Sequence, residues 1–84
     1  MKIVFADRGW EDFNYWVAHD GKIAARIVRL IKEIERQPFE ALGKPEPLRH
    51  DLTGFWSRRI TDEHRLVYAI DKESVLIAQA RYHY

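Results

Sequence analysis

The chain has 84 residues, room for a single domain spanning positions 1–84, and a chain of this size hides only about 60% of its unfolded surface on folding. Hydrophobic residues at 46% with charges of both signs at 32% exclude a disordered composition, and the lack of cysteine excludes disulfides, thiolate chemistry and Cys-ligated zinc. Fourteen Lys and Arg against 13 Asp and Glu leave a net charge of +1, so a strongly basic nucleic-acid binder is excluded too and any phosphate affinity has to be local.

Met1-Lys2-Ile3-Val4-Phe5 is too short an apolar run for a signal peptide, and no stretch approaches the roughly 18 apolar residues of a membrane span. A cytoplasmic protein with no membrane partner is expected.

The first element, "KIVFA" at 2–6, reads as a short strand of β-branched and aromatic residues. Asp7 is the predicted N-cap of a helix over roughly 8–18, where Trp10, Phe13, Trp16 and Val17 fall at helical spacing. Glu11 and Asp12 stand near its positive end. After the Asp20-Gly21 break a second helix carries one apolar stripe, Ile23, Ile27, Leu30, Ile31 and Ile34, with charges around its other faces. Asp20 caps it and Pro38 ends it, and so short a junction predicts a helical hairpin.

"PFEALGKPEPLRHDLTG" holds all three prolines and two of the four glycines, which predicts a long loop. Three strands follow, "FWSRRIT", "HRLVYAI" and "SVLIAQARYHY", the last two separated by a polar turn at Asp71 to Glu73. The fold class is therefore α+β: an N-terminal strand, a two-helix hairpin, then an antiparallel sheet. Alternate strand residues point to opposite faces. Trp56, Ile60, Leu66, Tyr68 and Ile70 form the set the helices should cover, while Ser57, Arg59, Thr61 and Arg65 lie on an open, partly cationic face. Arg58, of opposite parity to Arg59, is expected in solvent at the sheet edge. The last strand is apolar on both parities from Val75 to Ala78, so its register is open to a slip or a bulge.

Polar residues with chemical potential gather in the loop "GKPEPLRH" and at the strand ends "SRRITDEHR" and "ARYHY". Cleaving RNA without metal requires a base for the 2′-OH proton, cations for the phosphorane charge and an acid for the leaving 5′-oxygen. Glu46, Arg65 and His83 supply one of each. Against this stand blander readings: Glu46 as a solvated loop residue, Arg65 in a cross-strand ion pair with Glu63, His83 as a surface group. His19, His50 and His64 lack ligand spacing, so no metal and no other cofactor is expected. The three tryptophans are assigned to the core or to a partner surface.

"GKPEPLRHDLTGFWSRRITDEHRLVYAI" followed by "ARYHY" strongly resembles the YoeB (Txe) branch of the RelE/ParE superfamily of bacterial toxins, along all 84 residues. The resemblance implies a RelE-like, microbial-ribonuclease-like fold and an mRNA interferase that cuts messenger RNA in the ribosomal A site without metal. It implies Glu46 as general base, Arg65 as stabiliser of the phosphate and transition state, His83 as general acid, and Tyr84 as a residue positioning substrate. Arg59 and Glu63 match supporting residues of that site. Arg49 stands where the family pattern has lysine, which keeps the charge but replaces a compact ammonium by a planar fork. The implied partners are a YefM-type antitoxin, the ribosome, mRNA and a second copy of the chain. Two other readings stay open, a ParE-like inhibitor of DNA gyrase and a binding module that breaks no bond.

Overall fold

Asp20 ends one helix and starts the next. In the computed structural model, which describes residues 1–39 and 44–82, α1 spans Asp7–His19 and α2 spans Gly21–Arg36. The Asp20 N–H bonds back to the Trp16 carbonyl at 2.8 Å, while its Oδ1 accepts from the N–H groups of Lys22 and Ile23 at 3.1 and 3.3 Å. One residue thus satisfies orphan groups of both helices, and the hairpin follows.

α1 starts one residue earlier than predicted, because Asp7 lies inside the first turn and extended Ala6 holds the cap position without a side-chain bond. What fixes this end is packing and pairing. Phe5 meets Trp10 and Phe13 at ring distances of 5.4 and 5.9 Å, and the Ala6 N–H donates to Ile77 O at 2.9 Å. Gly9 completes the docking: a Cβ there would stand 2.3 Å from the Ile77 carbonyl oxygen, so only glycine lets α1 approach the sheet this closely.

The sheet has five strands, β1 (Lys2–Phe5), β2 (Glu46–Pro47), β3 (Trp56–Arg59), β4 (Arg65–Asp71) and β5 (Ser74–Gln79), in the order β1-β5-β4-β3-β2. β3, β4 and β5 are antiparallel as expected, but β1 runs parallel to β5, so the sheet is mixed. The predicted loop also contributes a strand. Glu46 pairs with Ser57 and Pro47 with Trp56, a position that tolerates proline because β2 lies at the sheet edge.

The predicted covered set is found. Ile60, Leu66 and Tyr68 are buried together with Trp16, Ile27, Leu30, Ile34, Val75 and Ile77, and Trp56 and Ile70 pack against them half-buried. Trp10, by contrast, stays 54% exposed.

Arg58 corrects the sequence reading. Instead of lying in solvent it is 0% exposed on the covered face, where its Nε donates to Tyr68 Oη at 3.1 Å and its Nη2 to the Gln37 carbonyl at 2.5 Å. Tyr68 Oη in turn donates to Pro38 O at 2.7 Å. The physical reason is the end of α2: its last carbonyls have no intrahelical partner and carry the negative end of the dipole, which suits a buried cation. Burial raises the Tyr68 phenol pKa above its ordinary value, and the Arg58 hydrogen bond and charge pull against that shift.

A bulge settles the register of the last strand. Tyr68 faces Ile77 but Val67 faces Gln79, so Ala78 is the extra residue and Gln79 returns to the open face.

Candidate active site

The face turned away from the helices is built in two rows, and it is open only in part, because Ser57 and Val67 at its centre are 3% and 2% exposed. Glu46, Ser57, Val67 and Gln79 occupy successive strands β2, β3, β4 and β5 in one row. Arg59 and Arg65 face each other in the next. Diagonal neighbours of this kind are roughly 7–8 Å apart, within reach of long side chains, so Glu46 and Arg59 can address one ligand.

Two arginines directly opposite each other repel, and the turn between β3 and β4 takes up part of that charge. Arg65 Nη1 donates to the carbonyls of Thr61, Asp62 and His64 at 2.6, 3.1 and 3.1 Å. From below, Arg26 of α2 donates through Nε to Ile60 O at 2.8 Å and through Nη2 to Arg59 O at 3.1 Å. Backbone carbonyls therefore hold Arg65, where an ion pair with Glu63 was the simpler sequence reading. Glu63 is exposed in the same turn, its N–H on Thr61 Oγ1 at 3.2 Å.

Glu46 is exposed, with Pro45 and Pro47 fixing φ on both sides. Its segment is anchored by buried Leu48, whose N–H donates to Phe55 O at 2.9 Å. Behind it Glu46, Pro47, Leu48, Arg49, His50 and Leu52 line a cleft of about 520 Å³. Glu46 and Arg49 both line this cleft. His50 lines it too, with a left-handed backbone (φ 58°) and a carbonyl that accepts from Thr53 Oγ1 at 2.7 Å. No sequence signal marked His50 for this place.

The segment after β5 is tied down residue by residue. The Ala80 N–H donates to Asp12 Oδ2 at 2.9 Å and the Ala80 carbonyl accepts from Trp16 Nε1 at 2.8 Å, both from α1. Arg81 lays its guanidinium over the Tyr15 ring, 3.5 Å from the centroid, and donates to Tyr82 Oη at 3.0 Å. The Tyr82 N–H donates to His64 Nδ1 at 2.7 Å, and the Tyr82 carbonyl accepts from the Arg65 N–H at 3.0 Å. Sequence reasoning placed Asp12 at the helix dipole and gave His64 no role, because donors and acceptors of the backbone leave no mark in a residue pattern. His83 and Tyr84, the expected acid and positioning residue, lie outside the described residues.

Among the described residues no group of three His, Asp or Glu side chains is placed to hold a metal ion, and no helix is long and apolar enough to cross a membrane. The arrangement offers a carboxylate, several guanidinium groups and a cleft.

Comparison with known proteins adds the lineage. Residues 5–84 match the family of YoeB-like toxins of bacterial type II toxin-antitoxin systems. The chain is 56% identical over 84 residues to Toxin YoeB of Escherichia coli (strain K12), covering all of both chains. Two solved structures from Staphylococcus aureus cover all of this chain and 98% of theirs: a YoeB dimer at 44% identity with a TM-score of 0.94, and a YoeB-YefM complex at 42% with a TM-score of 0.92. Two helices over a five-stranded mixed sheet are the α+β fold of RelE-like toxins. With a family match over 80 of its 84 residues and full-length relatives above half identity, the chain belongs to the YoeB-like toxins of bacterial type II toxin-antitoxin systems.

Proposed function

We propose that this toxin is a metal-independent endoribonuclease that cuts messenger RNA in the ribosomal A site and so stops translation in the cytoplasm. The observation that carries the reading is the shared face: Glu46 at the cleft, Arg59 and Arg65 in the next row, and the tied segment 80–82, whose Tyr82 carbonyl accepts from the Arg65 N–H.

In the proposed step Glu46 takes the proton of the 2′-OH as the 2′-oxygen bonds to phosphorus. The bond from phosphorus to the 5′-oxygen breaks, and His83 protonates that leaving oxygen. The products are a 2′,3′-cyclic phosphate and a 5′-hydroxyl, with protons conserved. Arg65 binds the turn through Nη1, and its Nε and Nη2 would meet the phosphorane oxygens as charge builds on them. Arg59 and Arg49 add positive potential on the two sides of Glu46, Glu63 supports the arginine row, and Tyr84 positions substrate. A net charge of +1 suits an enzyme that borrows its positioning from the ribosome instead of gripping RNA along its length. The partners proposed are a YefM-type antitoxin and a second copy of the chain, as in the Staphylococcus aureus complex and dimer.

Primer extension on a translated message tests the reading. Wild type is expected to leave discrete cuts within codons, and Glu46→Gln and His83→Ala to lower their rate at least about 100-fold, the ordinary contribution of a general base or acid. Growth arrest with an uncut message and inhibited DNA supercoiling would overturn it in favour of a gyrase poison.

A further inference from the structure

His64 is half-buried at the mouth of β4, edge-on to Trp16 with ring centroids 4.8 Å apart. Its backbone closes the β3–β4 turn: the carbonyl accepts from the N–H groups of Ile60 and Thr61 at 3.0 and 3.2 Å, and the N–H donates to Thr61 Oγ1 at 3.2 Å. The ring does something else. Its Nδ1 lies 2.7 Å from the Tyr82 backbone nitrogen, and since that N–H can only donate, Nδ1 is the unprotonated nitrogen and the ring proton sits on Nε2.

Tyr82 has a left-handed backbone, φ 62°, which a tyrosine adopts only when its surroundings hold it there. Among the described residues its backbone N–H bonds to the His64 ring and its carbonyl to the Arg65 N–H, while its side chain meets the His64 ring at 5.4 Å and accepts from Arg81 on Oη. Immediately upstream, Asp12 and Trp16 fix Ala80 from the opposite side. The next residue in sequence is His83.

We propose that His64 is a positioning residue for the chain end: by accepting the Tyr82 N–H it fixes the backbone from which His83 departs, and so aligns the general acid with the scissile phosphate. The inference rests on the nuclease reading of Glu46, Arg65 and His83 given above. It assigns no contact between His64 and RNA. Its role requires only an acceptor at the place of Nδ1, and two substitutions separate that from packing. His64→Phe keeps a flat ring against Trp16 and removes the acceptor. His64→Asn discards the ring and presents Oδ1 near the position of Nδ1.

The test measures ribosome-dependent cleavage under saturating and subsaturating ribosome, urea unfolding, and hydrogen exchange of the Tyr82 amide in the intact chain. For His64→Phe the expectation is a 10- to 100-fold loss in kcat, the range a displacement of about 1 Å produces, with KM and the urea midpoint near wild type and faster Tyr82 exchange. His64→Asn is expected to restore most of kcat and the slow exchange. His64→Phe with wild-type kcat, or His64→Asn as impaired as His64→Phe, would overturn the proposal. Wild type that cuts no RNA at all would sink the nuclease reading instead, and then unchanged Tyr82 exchange in His64→Phe would show that the imidazole does not hold the segment.

Discussion

Arg58 and Arg59 are consecutive residues of β3 with opposite fates. Arg58 is sealed under the helices, where Tyr68 Oη and the Gln37 carbonyl accept from it, while Arg59 stands exposed directly across from Arg65. The covered cation completes the protein's own hydrogen bonding at the end of α2. The open pair sets like charges opposite each other, only partly offset by the turn carbonyls that accept from Arg65, an arrangement that an incoming anion relieves. If the outer face binds RNA as proposed, stability and ligand binding are divided between the two sides of the same strand.

The strongest way to break this contrast is to truncate both residues. Arg58→Ala takes a donor from the Gln37 carbonyl and from Tyr68 Oη, which keeps its bond to Pro38 O, and leaves a void, so a loss of about 3 kcal/mol is expected in urea unfolding. Arg59→Ala should stay within roughly 0.5 kcal/mol of wild type. Equal losses would show that both faces serve the fold alike.

Tyr68 sharpens the same point with a smaller effect. Tyr68→Phe removes the bond to the Pro38 carbonyl and the acceptor of Arg58 Nε, a loss of about 1–2 kcal/mol near neutral pH. It also changes the alkaline limb. Burial raises the phenol above its ordinary 10.0, so the folded chain holds that proton more tightly than the unfolded one. The resulting stability is fully present below pH 10 and is lost as pH rises through the folded value. Unfolding free energies between pH 8 and 11 should therefore fall less steeply in Tyr68→Phe than in wild type.

Elements whose side chains repeat were legible in the sequence. The α2 stripe, the Asp20 cap and the parity of β3 and β4 were all read correctly, since each is a pattern of side chains. The parallel direction of β1 was not, because four apolar residues carry no sign of direction. Nor was β2, whose pairing exists only once Ser57 and Trp56 are beside it. Arg58 was misplaced because its acceptors, the end of α2 and a distant hydroxyl, come from other elements. In the candidate site, parity put Arg59 and Arg65 on one face, and only the family resemblance joined the loop residue Glu46 to them. The clamp of Asp12, Trp16 and His64 on residues 80 to 82 stayed hidden because each bond ends on backbone.

The smallest effect probes the open pair itself. Arg59→Gln keeps a polar, shorter side chain and removes the charge facing Arg65. If the pair costs the fold stability, the variant is more stable than wild type by a few tenths of a kcal/mol at low ionic strength, the scale of a cross-strand charge pair. Salt should erase the gain, because at 1 M the screening length shrinks to about 3 Å, below the spacing of adjacent strands. Cleavage should move the other way, with KM raised as the phosphate loses a cation. Urea midpoints at 20 mM and 1 M salt, set beside cleavage rates, decide the matter. A variant destabilised at both salt concentrations would mean that Arg59 supports the sheet, and the division of β3 into a folding side and a binding side would fail at its exposed end.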